Sequence, residues 1–122
     1  MAYKNTLLSF DIDYDELSIY EQQETANEMF DLCASAIEHI IGIHRNDWKQ
    51  YKGKDDKILY TWRNIYIYSL SRIFNVPSKY IASDTGLSAS MICVVLKRID
   101  ESKSAQYRDR LNKMYNFINK YY

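Results

Sequence analysis

Proline and glycine are scarce in this chain of 122 residues, which contains one proline and three glycines. Sandwiches and barrels of β-strands need many tight turns, and turns draw heavily on these two residues. The scarcity therefore excludes a turn-rich β fold and favours helices joined by short loops. Cysteine is equally rare, with Cys33 and Cys93 alone. Two distant thiols do not form a disulfide framework, and they indicate a reducing compartment, so we expect a cytoplasmic protein.

Long apolar runs are absent as well. No stretch approaches the roughly 18 consecutive apolar residues of a membrane-spanning helix, so we expect no membrane partner. The first ten residues, MAYKNTLLSF, lack the basic region and long apolar run of a secretory signal. The chain is 47% hydrophobic and 26% charged, a composition typical of one small folded domain.

The groupings that catalysis or metal binding requires are also missing. No Ser-His-Asp set, pair of catalytic carboxylates or glycine-rich phosphate loop can be assembled from the sequence. His39 and His44 have no cysteine nearby, and their spacing is poor for zinc. The acidic repeat at Asp11, Asp13 and Asp15 lacks the glycine and the final glutamate of a calcium loop. We therefore predict a protein that is not an enzyme and has no metal and no cofactor.

The net charge of zero conceals two opposite halves. Residues 1–56 hold five Lys/Arg and twelve Asp/Glu, a net charge of −7, whereas residues 57–122 hold eleven and four, a net charge of +7. A basic half suits phosphate binding, because each cation placed near a phosphate releases counterions. The acidic half either pairs with a protein partner or keeps the domain soluble.

Apolar residues recur at helical spacing through most of the chain. The capping-box pair Ser18 and Glu21 predicts the start of a long helix, and Gly42 is a natural residue to end it. Further helices are predicted from about 56 to 74, 78 to 84, 88 to 101 and 104 to the C-terminus, so the predicted fold class is all-α. The predicted caps of the first three of these helices are Asp55 or Asp56, Ser78 and Ser88.

The expected domain organisation is an acidic N-terminal arm at residues 1–17 and a single helical domain at residues 18–122. In the arm, apolar and polar residues alternate from Leu8 to Tyr14, the period of a half-buried strand. A strand and an extended arm both remain compatible with this alternation.

The strongest local motif spans residues 78–98. Two short helices joined by a tight turn need a small residue at their contact, a glycine four positions later and a cap for the second helix. Ala82, Gly86 and Ser88 fill these places. The apolar residues that would hold the pair together are Ile81, Leu87, Ile92 and Val95. This is the spacing of a DNA-binding helix-turn-helix, and the same geometry also occurs in ordinary helical packing.

The pattern extends upstream of this motif and continues through it, at Ile40-Ile41-Gly42-Ile43, Trp48, Arg63-Asn64-Ile65-Tyr66-Ile67-Tyr68, Leu70, Ser78, Tyr80-Ile81-Ala82, Gly86, Ile92 and Lys97-Arg98-Ile99. The pattern resembles the C-terminal DNA-binding domain of the bacterial replication initiator DnaA, which shares its fold with the Trp repressor. The resemblance covers about residues 34–101 and rests on spacing, with few identities. It implies a short duplex site whose major groove receives the second motif helix, while a basic loop reaches the backbone and minor groove.

Carried over by position, the resemblance implies a set of DNA contacts. They are Arg63 at the minor groove or a phosphate, Lys49, Lys52 and Lys54 along the backbone, and Ser88, Ala89, Ser90 and Met91 at the bases. The cations Lys97 and Arg98 follow one to two turns later, where phosphates would run. The family has an Arg-Asp-His-Thr-Thr run where this chain reads LSASM, so the family's site preference is not expected to transfer.

Two functions remain open on the sequence alone. In the first, the chain is a small protein that binds double-stranded DNA and acts in the control of transcription or replication. A homodimer reading a palindrome is common for such a motif, although no interface is defined here. In the second, the same fold is a non-catalytic protein-docking module, such as a phage inhibitor or a virion component, and its acidic half meets the partner. The high usage of Tyr, Asn, Ile and Lys is compatible with an AT-rich genome such as that of a phage.

Overall fold

Six α-helices make up the computed structural model, which describes residues 12–121. They are α1 (Ile19–Ile41), α2 (Arg45–Trp48), α3 (Lys57–Tyr68), α4 (Ser78–Thr85), α5 (Ala89–Glu101) and α6 (Ala105–Tyr121). A short 3-10 turn at Tyr14–Glu16 precedes α1, and a wider π-helical turn at Ser69–Ile73 continues α3. The described residues contain no strand, which confirms the all-α prediction.

Local capping interactions set the ends of the longer helices. The Ser18 hydroxyl accepts from the backbone N–H of Glu21, and the Glu21 carboxylate accepts from the N–H of Ser18, both at 3.1 Å. Gly42 ends α1 in the left-handed region, with φ of 68°. The carboxylate of Asp56 accepts from two N–H groups in the first turn of α3. The predicted capping box, glycine end and aspartate cap are thus confirmed.

Two helix boundaries differ from those predicted. Regular α-helical bonding in α3 stops at Tyr68, and the N–H of Phe74 then donates to the Ser69 carbonyl at 3.3 Å across the wider turn. Ser78 is the first residue of α4 and not its cap, because Pro77 occupies the cap position without a side-chain bond. The φ of a proline is already fixed at a value that suits a helix start.

Helix α3 and the π-helical turn after it form the centre of the fold. Every residue from Thr61 to Leu70 is buried, because α1, α2, α5 and α6 pack around this stretch. Ile58, in the first turn of α3, contrasts with this stretch because it is 52% exposed. The N-terminal end of α3 therefore projects beyond the core.

Three buried tyrosines are bonded to side chains of other elements. Their hydroxyls donate from Tyr66 to Asp84, from Tyr68 to Asp100 and from Tyr80 to Gln22, at 2.5, 2.8 and 2.9 Å. These bonds attach α3 to α4, α3 to α5, and α4 to α1. The position of α5 relative to the core is thus held by polar bonds as well as by apolar packing.

The described part of the predicted N-terminal arm packs against the helices. Tyr14 is buried, and Ile12 and Leu17 lie against the same core. Burial raises the pKa of Tyr14 to about 12. The Asp13 carboxylate caps the short turn by accepting from the N–H of Asp15 at 3.0 Å. Residues 1–11, which hold most of the alternating pattern and Asp11, lie outside the described residues.

Between residues 12 and 121, no helix combines the length and apolar character needed to cross a bilayer. Over the same residues, no cluster of three or more His, Cys, Asp or Glu side chains is arranged to hold a metal ion.

Candidate nucleic-acid interface

Helices α4 and α5 are joined by a tight turn. Gly86 adopts a left-handed conformation with φ of 73°, and its N–H donates to the Ala82 carbonyl at 2.9 Å. The Ser88 hydroxyl accepts from the N–H of Met91 at 3.1 Å and so begins α5. A residue with a β-carbon would be strained at the position of Gly86. The turn glycine and the cap are therefore found where the sequence predicted them.

One side of α5 is buried and the other side is open. The buried side consists of Ile92, Val95, Leu96 and Ile99. The open side consists of Ala89, Ser90, Met91, Cys93, Val94, Lys97, Arg98, Asp100 and Glu101. Of the predicted contacts, the structure therefore brings Ser88, Ala89, Ser90, Met91, Lys97 and Arg98 together at the cap and along the open side of α5.

Ser90, Val94 and Lys97 form the crest of this open side, and we call these three residues the α5 ridge. They are spaced four and three residues apart, which places them on one face of a helix. Ala89 and Cys93 flank the ridge on one side, and Met91 and Arg98 flank it on the other. The side chains of Met91 and Val94 are 42% and 46% exposed, so the open side of α5 is apolar around Val94 and becomes cationic at Lys97 and Arg98.

A cationic cluster lies beside the ridge, near the start of α3. The exposed guanidinium of Arg98 donates to the hydroxyl of Tyr60. The guanidinium carbon of Arg63 lies 4.9 Å from the centre of the same tyrosine ring. We call Tyr60, Arg63 and Arg98 the tyrosine–arginine cluster. It places two positive charges around a single aromatic ring at the edge of α5.

Arg63 itself is inside the fold, with only 4% of its surface exposed. Its Nη1 donates to the Tyr51 carbonyl at 2.9 Å, and its Nε and Nη2 donate to Asn64 Oδ1 at 3.1 and 2.5 Å. Burial lowers the pKa of Arg63, the neighbouring Tyr60 opposes that change, and the charge of Arg98 adds to it. Contrary to the prediction, this position does not present the guanidinium to a phosphate or a minor groove. Arg63 instead holds the segment before α3 in place.

The three lysines of the predicted basic loop do not act alike. Lys49 Nζ lies 2.7 Å from the carboxylate of Asp84, and both side chains are largely buried. Lys52 Nζ donates to the carbonyl of Gly86 at 2.9 Å. These two lysines thus hold the α4–α5 turn. The partial burial of Lys49 differs from its predicted place along a DNA backbone, whereas Lys52 remains exposed. Lys54 is exposed beyond them.

Two carboxylates lie at the C-terminal end of α5. Asp100 accepts from Arg72 Nη2 at 2.7 Å and from the Tyr68 hydroxyl at 2.8 Å, so its charge is offset within the fold. Glu101 is exposed. The positive charge on the open side of α5 therefore lies at Lys97 and Arg98, just before this end.

Tyr60 was not among the side chains predicted to contribute to the site. The sequence did contain a signal for it, because a residue three positions before Arg63 lies on the same face of a helix. The contact with Arg98 had no such signal, since the two residues are distant in the chain and meet only when α5 packs on α3.

Comparison of the chain with protein-family models, with curated proteins and with solved structures finds no match. The resemblance to the C-terminal domain of DnaA therefore stays a prediction from spacing.

Proposed function

We propose that this protein binds double-stranded DNA through a helix-turn-helix made of α4 and α5, with the α5 ridge in the major groove. The observation that carries the proposal is the open side of α5, which is exposed from Ser88 to Arg98. The major groove, about 12 Å wide, admits one helix presented in this way. In a helix-turn-helix the first residues of the second helix meet the base edges, and here these are Ser88, Ala89 and Ser90.

The charges near the ridge also favour an anionic partner. Lys97 and Arg98 lie one to two turns beyond the residues that would meet the bases, the distance at which phosphates border the groove. Arg63 adds to this field although it is buried, because its hydrogen bonds go to neutral carbonyl and amide oxygens. The charge of a guanidinium bonded in this way is not cancelled by its partners. Lys54 extends the exposed positive charge on the segment before α3.

The cellular role we propose is control of transcription or replication from a short duplex site, in the cytoplasm. The basic half of the sequence, residues 57–122, contains α3 to α6 and therefore the whole proposed motif. The number of protein chains bound per duplex distinguishes a monomer from a homodimer on a palindrome.

A protein-docking function is the second candidate, and the exposed side chains of Met91 and Val94 favour it. An exposed apolar patch is a common feature of protein interaction surfaces. In this alternative Lys97 and Arg98 would border a protein interface, and the acidic half would meet the same partner. Such a module would have no affinity for duplex DNA that depends steeply on salt.

Titration of a fluorescently labelled, mixed-sequence duplex with the protein separates the two functions. We expect binding whose affinity falls steeply between about 50 and about 200 mM salt. The double variant Lys97→Ala/Arg98→Ala should weaken binding and reduce the slope of log affinity against log salt by about 2, one unit for each phosphate that no longer has a cation beside it.

The matched control is Lys113→Ala/Lys120→Ala, which removes the same charge from exposed positions on α6. It should leave most of the salt slope in place. Absence of binding at the lowest salt would overturn the proposal, and an equal reduction in both double variants would show that α5 is not the DNA-binding helix.

A further inference from the structure

The residues at the start of α5 lack the side chains that usually read bases. From residue 88 to residue 94 the sequence is SASMICV, without Arg, Lys, Asn, Gln, Asp or Glu. Paired hydrogen bonds to guanine or adenine come from Arg, Lys, Asn and Gln, and acidic residues accept from cytosine. Residues 88–94 therefore do not discriminate among bases through paired hydrogen bonds.

The same stretch does offer apolar groups to a groove. Val94 lies on the crest of the ridge, and Met91 lies beside it, each with more than 40% of its surface exposed. Ala89 and Cys93 are exposed on the other flank. The one methyl group on the base edges of the major groove is the C5-methyl of thymine.

The charges that follow these apolar groups along α5 indicate which partner this surface fits. Lys97 continues the ridge one turn after Val94, and Arg98 follows beside it in the tyrosine–arginine cluster. The complementary surface is therefore apolar at its centre and anionic at its edge. A duplex has this arrangement, with methyl groups on the floor of the major groove and phosphates along its rim.

We propose that Val94 and Met91 contact thymine C5-methyl groups in the major groove, so that the protein prefers duplexes that present these methyl groups. This inference rests on the proposed DNA-binding function. Ser90, on the same crest, supplies a hydroxyl that donates to or accepts from several bases and adds little selectivity. The preference for one duplex over another then comes from burial of thymine methyl groups against Val94 and Met91.

Four synthetic duplexes of equal length test this inference in one salt condition. They are alternating dA-dT, alternating dA-dU, alternating dG-dC and alternating dG-5-methyl-dC. Thymine and uracil differ only by the C5-methyl, and 5-methylcytosine places the same group on a different base pair. For each methyl group that the ridge buries on dA-dT, we expect the dA-dU duplex to bind about fourfold more weakly, the affinity equivalent of one buried methyl group. The methylated dG-dC duplex should bind more tightly than the unmethylated one by a similar factor.

The variant Val94→Ala tests whether the α5 ridge is the source of the preference for methylated duplexes. Val94 is exposed and alanine favours helices, so this variant should fold, and its preference for methylated over unmethylated duplexes should shrink. The control Ile19→Ala truncates a branched side chain that is 70% exposed on α1 and should keep the full preference.

Each outcome decides a separate point. Equal affinity for the thymine and uracil duplexes, with binding retained, would overturn the methyl inference and leave DNA binding intact. No binding to any of the four duplexes at low salt would overturn the DNA-binding function and the inference with it. An unchanged preference in Val94→Ala would show that the methyl groups are not read by this ridge.

Discussion

Two regions of the molecule carry basic side chains that were predicted to contact DNA, and these side chains have different surroundings in the fold. In the segment from residue 45 to residue 63, Arg63, Lys49 and Lys52 are bonded to other parts of the protein. Arg63 is buried and Lys49 is largely so, whereas Lys52 stays exposed. On α5, Lys97 and Arg98 lie on the surface, where Arg98 also donates to the Tyr60 hydroxyl. Proximity to the predicted helix-turn-helix therefore does not reveal whether a cation serves the fold or a ligand.

The difference follows from what each region has to satisfy. The segment before α3 contains only the four-residue helix α2, so side-chain bonds rather than helix packing fix its position. Arg63 donates to the Tyr51 carbonyl of this segment, and Lys52 of the same segment donates to the Gly86 carbonyl in the α4–α5 turn. Helix α5 satisfies its own backbone, and its apolar side together with the Tyr68–Asp100 bond holds it in place. The side chains from Ala89 to Lys97 on its open side are therefore available for binding.

Among the basic residues of these two regions, Arg63 should cause the largest change when it is replaced, and that change should be a loss of stability. The variant Arg63→Met leaves the Tyr51 carbonyl and Asn64 Oδ1 without their donor in a buried setting. We expect the free energy of unfolding to fall by about 3 kcal/mol, measured by urea denaturation. The same change at Arg98, which is exposed, should cost less than about 0.5 kcal/mol.

The DNA affinity of Arg63→Met should change far less than its stability. Under conditions where Arg63→Met remains folded, its salt slope should fall by much less than about one unit, because the buried guanidinium adds to the positive field without contacting a phosphate directly. Unchanged stability together with a reduced salt slope would contradict the assignment of Arg63 to the interior.

A smaller effect is expected from Arg45, which belongs to the same segment and holds the carboxylate of Glu38 with two side-chain hydrogen bonds at 2.8 and 3.1 Å. These bonds hold the pKa of Glu38 at about 2, well below its ordinary value of 4.5. Because the folded pKa is the lower one, this contribution is present above pH 4.5 and is lost as the pH falls towards 2. We expect stability to fall by about 1–2 kcal/mol over that window, after allowance for partial solvent screening.

The variant Glu38→Gln isolates this contribution. It should be less stable than the unmodified protein at neutral pH, and the gap should close as the pH approaches 2. Glu24→Gln, at an exposed position of the same helix, is the control and should follow the unmodified protein throughout. A gap that stays constant with pH would show that the Glu38–Arg45 pair is not responsible.

The elements that sequence reasoning located are those encoded by neighbouring residues. The capping box at Ser18, the glycine ends at Gly42 and Gly86, and the cap at Ser88 each depend on a few adjacent positions. The inward and outward sides of α5 follow from helical periodicity in the same way. Local patterns of this kind can be read from a single sequence.

The roles of the basic residues depend on contacts between distant parts of the chain. Lys49 meets Asp84, and Arg98 meets Tyr60, only after α2, α3, α4 and α5 have packed. Arg63 lies on a helix that is buried on all sides between Thr61 and Leu70, and neither periodicity nor charge distinguishes it from a surface arginine. Burial is a property of the packed fold, so the sequence alone does not predict it here.

The most direct measurement of the central claim is a duplex titration of isotope-labelled protein followed by backbone amide chemical shifts. We predict that the largest shifts fall between Ser88 and Arg98, with smaller ones at Lys54 and near Tyr60, and that the exposed faces of α1 and α6 change little. Shifts concentrated on α1 or α6, with α5 unchanged at saturating DNA, would contradict the claim that the open side of α5 is the surface that binds DNA.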